Sequence, residues 1–300
     1  MPREAELSLN EREFILQALG ENVRVDGRAF DAFRDLELTF GDEYGVADVR
    51  LGKTRQAPRV FSPILVRVSA DVTAPFADRK FDGVFNISTE FSPMASPAFE
   101  VGRQTEAEVI LSRILEKAIR RSGAIDTESL CIVAGSKCFS VRADVNILDH
   151  DGNLIDASCI AIIAALQHFR RPDIAVEGEK VTVFSSRERE PVPLSMLHHP
   201  LCVTFSYYKS GEIMLVDATA AEEQVREGEV IITMNKFGEI CQIAKYGGTP
   251  VDPLAILQCN NVALSKVQTI TKYIQGKLEE DGKKRDKGGL MAELSAENAR

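Results

Sequence analysis

The sequence predicts an α+β protein built as two similar halves. Three observations carry that expectation. Apolar residues alternate with period two in two separate blocks, near 36–91 and 201–245. Each block leads on to a helix with a 3.6-residue apolar period. A charged, proline-broken stretch separates the two blocks. The expected organisation is an N-terminal helix and arm (1–25), a first domain (26–170), a connection (171–198), a second domain (199–276) and a flexible C-terminal tail (277–300).

Taken in order, Ser8 and Glu11 stand three apart before Phe14 and Ile15, the signature of a capping box and a short helix ending near Gly20. Asp26-Gly27 marks a turn. Leu36, Leu38 and Phe40 alternate as a strand, and Val46 to Leu51 supplies a hairpin partner. Pro58 and Pro63 then interrupt the pattern, and proline removes a ladder donor, so a loop or bulge is expected there. Strands resume at Val66–Val72 and Val84–Phe91. From Gln104 to Arg121 the periodicity predicts a helix, with Leu111, Ile114, Leu115, Ala118 and Ile119 on one face. Arg113, Lys117 and Arg120, with Arg121 beside them, form a basic stripe on another. The second block reads as strands at Leu201–Tyr207, Glu212–Asp217, Glu229–Asn235 and Glu239–Lys245, the last two joined through NKFGE. Pro250 opens a long amphipathic helix carrying Leu254, Leu257, Leu264, Val267 and Ile274.

The most informative stretch is Leu130 to Leu166. It reads as a strand, a tight turn, a long strand, an acidic loop and a helix that is apolar nearly all round. Asp151-Gly152 is a turn signal. Asp156 or Ser158 is placed to cap the helix. Asp144, Asp149, Asp151 and Asp156 leave a second reading open, a metal-dependent enzyme using carboxylates. An EF-hand is excluded, because Gly152 falls at the fourth position of the run and Ile160 stands where the final Glu belongs.

At 300 residues the chain can bury a large core, and 44% hydrophobic with 27% charged residues is ordinary for a soluble protein. No signal-peptide core or membrane-length apolar run is present, so an intracellular location is expected. The six cysteines form no C-x-x-C and read as buried thiols. His198 and His199 lack a third ligand. A net charge of −9 argues against a wholly nucleic-acid-coated surface, yet permits a local basic strip. The run KKRDK (283–287) reads as a solvated charge run ahead of a nuclear signal. No P-loop, dinucleotide fingerprint or nucleophile elbow occurs.

Several segments, in order, resemble the RNase PH family, and within it the RNase PH-like ring subunits of the RNA exosome. They are RVDGRAFDAFRDLELTFG (24–41), FNISTEFSPMASPAFE (85–100), the run from Glu108 to Ser158, REREPVPLSMLHHPLCVTFSYY (187–208), LVDATAAEE (215–223) and IAKYGG (243–248). Relative to the family, Gln56 to Ile64 reads as an insertion. The resemblance implies an RNase PH-like fold: a first half like domain 2 of ribosomal protein S5 and a smaller α/β second half. It also implies a hexameric ring around a channel for single-stranded RNA. Implied partners are the other RNase PH-like ring subunits, S1/KH cap subunits, single-stranded RNA and a hydrolytic nuclease subunit, with no membrane and no cofactor. The implied setting is nucleus, nucleolus and cytoplasm, in rRNA maturation and mRNA turnover.

Active members of the family cleave RNA from its 3′ end by phosphorolysis, with a G-G-T-R-T-A-S run gripping phosphate. Here the aligned run is Gly152-Asn153-Leu154-Ile155-Asp156-Ala157-Ser158, with Ile155 in place of the arginine. An aliphatic chain cannot bind phosphate. A carboxylate nearby would repel it by roughly 4 kcal/mol at about 4 Å and an effective dielectric of about 20. The second acidic position of the family's D-L-D-Y-x-E-D run falls on Thr219, although Glu222, Glu223, Glu227 and Glu229 still offer carboxylates. The resemblance therefore implies no catalytic residues and no metal site, with Arg113, Lys117, Arg120 and Arg121 lining an RNA path. The alternative is an active phosphorolytic exoribonuclease with a relocated phosphate site, for which Arg142 is the candidate cation.

Overall fold

In a computed structural model, two sheets close on one buried helix. Residues 6–52, 63–96, 99, 104–177, 180–184, 188–248 and 250–285 are described. Pro58, most of the expected insertion at 56–64, and residues 286–300 lie outside them.

The chain opens with α1 (Leu9–Gly20), where Ser8 and Glu11 cap each other's backbone as the spacing predicts. The first sheet uses β1 (Leu36–Phe40), β2 (Val46–Leu51), β3 (Pro63–Thr73), β4 (Val84–Phe91), β5 (Cys131–Val133) and β6 (Lys137–Ile147). Its order is β1-β2-β3-β6-β4, with β5 also on β6. All pairs are antiparallel except β4 with β6, where the intervening helix α2 (Glu106–Leu115) makes the crossover. Pro63 opens β3 opposite Arg50, not a loop, because a first strand residue needs no ladder donor.

The helix α3 (Leu154–His168) then enters the core. Every residue from Asp156 to Leu166 is buried, which is why its apolar character runs all round. One side packs on β2 and β3, the other on the second sheet through its strand Leu201–Tyr208. The connection between the two sheets is itself structured. Here β7 (Arg170–Arg171) pairs with β10 (Val192–Pro193), β8 (Ile174–Glu177) pairs with β9 (Lys180–Val183), and Ile125 bridges Met196.

The second sheet consists of β11 (Leu201–Tyr208), β12 (Ile213–Val216), β13 (Gly228–Met234) and β14 (Ile240–Gly247), in the order β12-β11-β13-β14. A short α4 (Ala220–Val225) follows β12. The last helix, α5 (Pro253–Arg285), packs on β11 and β13 and reaches β1.

Two expectations for α5 are corrected. Leu254 and Leu257 are exposed; the buried face is Cys259, Ala263, Val267, Ile270 and Ile274. The small side chains Cys259 and Ala263 allow close approach, and Cys259 Sγ lies 3.0 Å from Tyr207 Oη. The tail expected to be flexible from 277 is helical through Arg285. That last turn is anchored: Arg285 donates to the carbonyls of Gly41 and Asp42 and lies over the Tyr44 ring. His168 Nδ1 accepts from Gly45 N–H, so its proton sits on Nε2 and is donated to Asp281 at 3.2 Å. Burial, then Arg285, pushes the His168 pKa down to about 4, so this link stays neutral near pH 7.

Candidate functional site

The turn between β6 and α3 lies against the segment joining β12 to α4. Gly152 has φ +80°, and a Cβ there would come within 2.6 Å of Ala220 N and 2.7 Å of Ala218 O. Backbone cannot yield as a flexible side chain does. Gly152→Ala is therefore expected to cost about 1–3 kcal/mol, from the left-handed conformation and the close approach together. Urea denaturation of the full chain checks this; an unchanged midpoint would refute the tight seating of the turn. Ala220 N–H also donates to Asp151 O, at 3.2 Å.

Asn153 continues the turn at φ +55°, a left-handed position that asparagine tolerates. Its Nδ2 donates to Asp217 Oδ1 at 2.7 Å, and its backbone N–H donates to Glu223 Oε1 at 2.9 Å. Neither Asp156 nor Ser158 caps α3. Asp156 is fully buried and turned toward β11, where it accepts from Thr204 N–H at 2.9 Å and Thr204 Oγ1–H at 2.7 Å. The carboxylate that meets the entrance to the helix is thus Glu223, not Asp156. Ile155 is half-buried against the core. Thr219 caps α4 in a reciprocal box with Glu222.

The nearby cations are all engaged within the chain. Arg24 donates to both oxygens of Glu222, at 3.1 and 2.6 Å, and to the Val216 and Asp217 carbonyls. Arg28 reaches Asp217 at 2.8 Å. Arg34 donates its backbone N–H and guanidinium to Asp217, and further to the Asp151 and Gly152 carbonyls. Burial would raise the Asp217 pKa, but Arg34 and Arg28 hold it below the usual carboxylate range. Sequence reasoning missed this network. Its signal was present in RVDGRAFDAFR, a turn-rich segment with three arginines and neither a helical nor a strand period.

The four aspartates considered as a metal-binding group diverge. Asp144 pairs with the exposed Arg142 at 2.6 Å, Asp149 accepts from His150 N–H, Asp151 faces Arg34, and Asp156 points inward. Among the described residues, no group of three or more His, Cys, Asp or Glu side chains is arranged to hold a metal ion.

The basic stripe lies elsewhere. Thr105 caps α2, accepting from Glu108 N–H at 3.2 Å. The helix does not run unbroken to Arg121: residues Glu116–Arg120 form a π-helical turn, in which Arg121 N–H donates to Glu116 O at 3.0 Å. Arg113, Lys117, Arg120 and Arg121 are all exposed. Glu108 is buried and takes no part in the stripe, whereas Glu116 pairs with both Arg113 and Arg120. Arg120 and Arg121 border an open cavity of about 710 Å³, shared with Phe76, Arg79 and Asn86. π-turns of this kind recur at functional positions.

Residues 32–172 match domain 1 of the 3′ exoribonuclease family, RNase PH, and residues 198–266 match its domain 2. The chain belongs to the RNase PH family. Over 300 residues it is 49% identical to the exosome complex component rrp45 of Schizosaccharomyces pombe, covering 100% of both chains. It is 45% identical over 287 residues to the Homo sapiens exosome complex component RRP45, covering 96% of this chain and 64% of that one. Among solved structures, a chain of the Archaeoglobus fulgidus exosome with RNA bound to the active site superposes with a TM-score of 0.75 at 29% identity, covering 88% of this chain and 97% of that chain. A chain of an archaeal exosome core gives a TM-score of 0.72 at 27% identity, over 89% and 96%. The RNase PH fold inferred from ordered sequence segments is thus shown over nearly the whole described chain.

Proposed function

We propose that the chain is a non-catalytic ring subunit of the RNA exosome core. It scaffolds the hexameric ring with other RNase PH-like subunits beneath S1/KH cap subunits. It helps to line the channel that passes single-stranded RNA to a hydrolytic nuclease, in the nucleus, nucleolus and cytoplasm. The full-length likeness to named exosome components supports membership, and we assign it the place of the smaller polymyositis/scleroderma autoantigen subunit.

The observation that carries the non-catalytic reading is the closed turn before α3. Ile155 replaces the phosphate-gripping cation, the Asn153 N–H is taken by the Glu223 carboxylate, and the Gly152 backbone is seated against residues 218–220. Arg24, Arg28 and Arg34 are spent on Asp217 and Glu222. Arg142, which a relocated phosphate site would need, is paired with Asp144.

RNA contact falls to Arg113, Lys117, Arg120 and Arg121, exposed cations that meet phosphates without reading bases. The full chain, alone and in a reconstituted ring, is expected to release no nucleoside diphosphate from 3′-labelled RNA in phosphate buffer with Mg²⁺. Phosphate-dependent release by the chain alone would overturn the reading.

A further inference from the structure

The π-turn places an acid in the middle of the basic stripe. Glu116 takes Arg113 three residues before it, at 3.1 Å, and Arg120 four residues after it. Its side chain is 23% exposed, against 52% and 44% for its partners, so it sits lower in the surface than the guanidinium groups it holds. Burial would raise the Glu116 pKa, but Arg120, Arg113 and Arg121 outweigh it and keep the group ionised. Two of the four stripe cations therefore already grip an oxyanion, while Lys117 and Arg121 form no ion pair among the described residues.

We propose that Glu116 is an internal stand-in for RNA phosphate. It pre-orients Arg113 and Arg120 toward the strand and limits how tightly the stripe can hold it. A carboxylate and a phosphodiester oxygen present the same kind of acceptor to a guanidinium. RNA must compete with Glu116 for those donors, so each phosphate contact is an exchange rather than a net gain. Such a surface suits a path along which a strand slides.

This inference rests on the RNA-lining reading above, and the test separates the two. Binding of the full chain to a fluorescein-labelled oligouridine is followed by anisotropy across a salt series. Glu116→Gln is expected to bind about tenfold more tightly at low salt. Its log–log salt slope should steepen by about 0.7 for each phosphate contact freed. Glu106→Gln makes the same charge change on the exposed first turn of α2 and is expected to leave affinity nearly unchanged. Glu116→Ala guards against a packing effect of glutamine and should agree in direction, with thermal melting confirming that both variants fold. If Glu116→Gln and Glu116→Ala bind no more tightly while Lys117→Glu and Arg121→Glu weaken binding, the stand-in role is refuted and the RNA path stands. If none of these variants alters binding, the RNA path itself fails.

Discussion

Replacing Asp217 with alanine is expected to lower the unfolding free energy by about 3–5 kcal/mol, the usual result of removing one partner from a buried ion network. Asp217 is fully buried and accepts from Arg28, from Arg34 through both backbone and side chain, and from Asn153. Its removal leaves the buried Arg34 guanidinium with only the Asp151 carboxylate and the Asp151 and Gly152 carbonyls as acceptors. The φ of +53° adds to the penalty, because aspartate tolerates that region better than alanine. Asp217→Asn keeps an acceptor while losing the charge, so it should fall between wild type and alanine. Urea denaturation of the full chain reads both. A loss below about 1 kcal/mol for the alanine variant would mean that Arg28 and Arg34 find water or other acceptors, contrary to the buried network. The wild-type contribution of Asp217 also has a pH signature. Its depressed pKa gives stability that is present above the unfolded value of 3.8 and is lost as pH falls through the lower folded value.

The regular elements were legible because their signals are local. Leu36–Phe40, Val84–Phe91 and the largely apolar Leu154–His168 follow from side-chain period and apolar composition alone. What escaped was decided by partners distant in sequence. Asp156 has the sequence position of a cap, yet Thr204, forty-eight residues on, offers its N–H and hydroxyl, and the side chain turns inward. Glu223 caps from seventy residues away, and Arg34 meets Asp217 across 183. The π-turn was hidden for a different reason: it ends the helix, and the apolar residues stop at Ile119 inside it, so none follows to reveal the changed winding. The end of α5 read as loose because Lys283, Lys284 and Arg285 look like solvent-facing charge. Arg285 is in fact held by carbonyls of the β1–β2 connection. At the candidate site, the sequence singles out Ile155, an apolar residue, for the proposed loss of phosphate binding. Only the structure reveals the carboxylate at the helix entrance.

Asp156→Asn should make the protein more stable at pH 8 and erase part of its pH dependence. Burial, partly offset by the two Thr204 donors, pushes the Asp156 pKa up from 3.8 to about 7. Between those values the folded state keeps a proton that the unfolded chain releases. For this raised carboxylate the sign is therefore opposite to that of Asp217. Its contribution is fully present below the unfolded pKa and is lost as pH rises through about 7. The difference sets a ceiling of about 4 kcal/mol on that loss, at about 1.36 kcal/mol per pH unit. Asparagine has the same shape: Oδ1 accepts from Thr204 N–H, and Nδ2 donates to Thr204 Oγ1 once that hydroxyl rotates. The variant should gain about 1–3 kcal/mol over wild type at pH 8 and lose most of that advantage by pH 5. Paired urea titrations at the two pH values measure the gap directly. An equal wild-type-to-variant difference at both would show that Asp156 does not titrate in this range, and that its two bonds to Thr204 keep it ionised in the core.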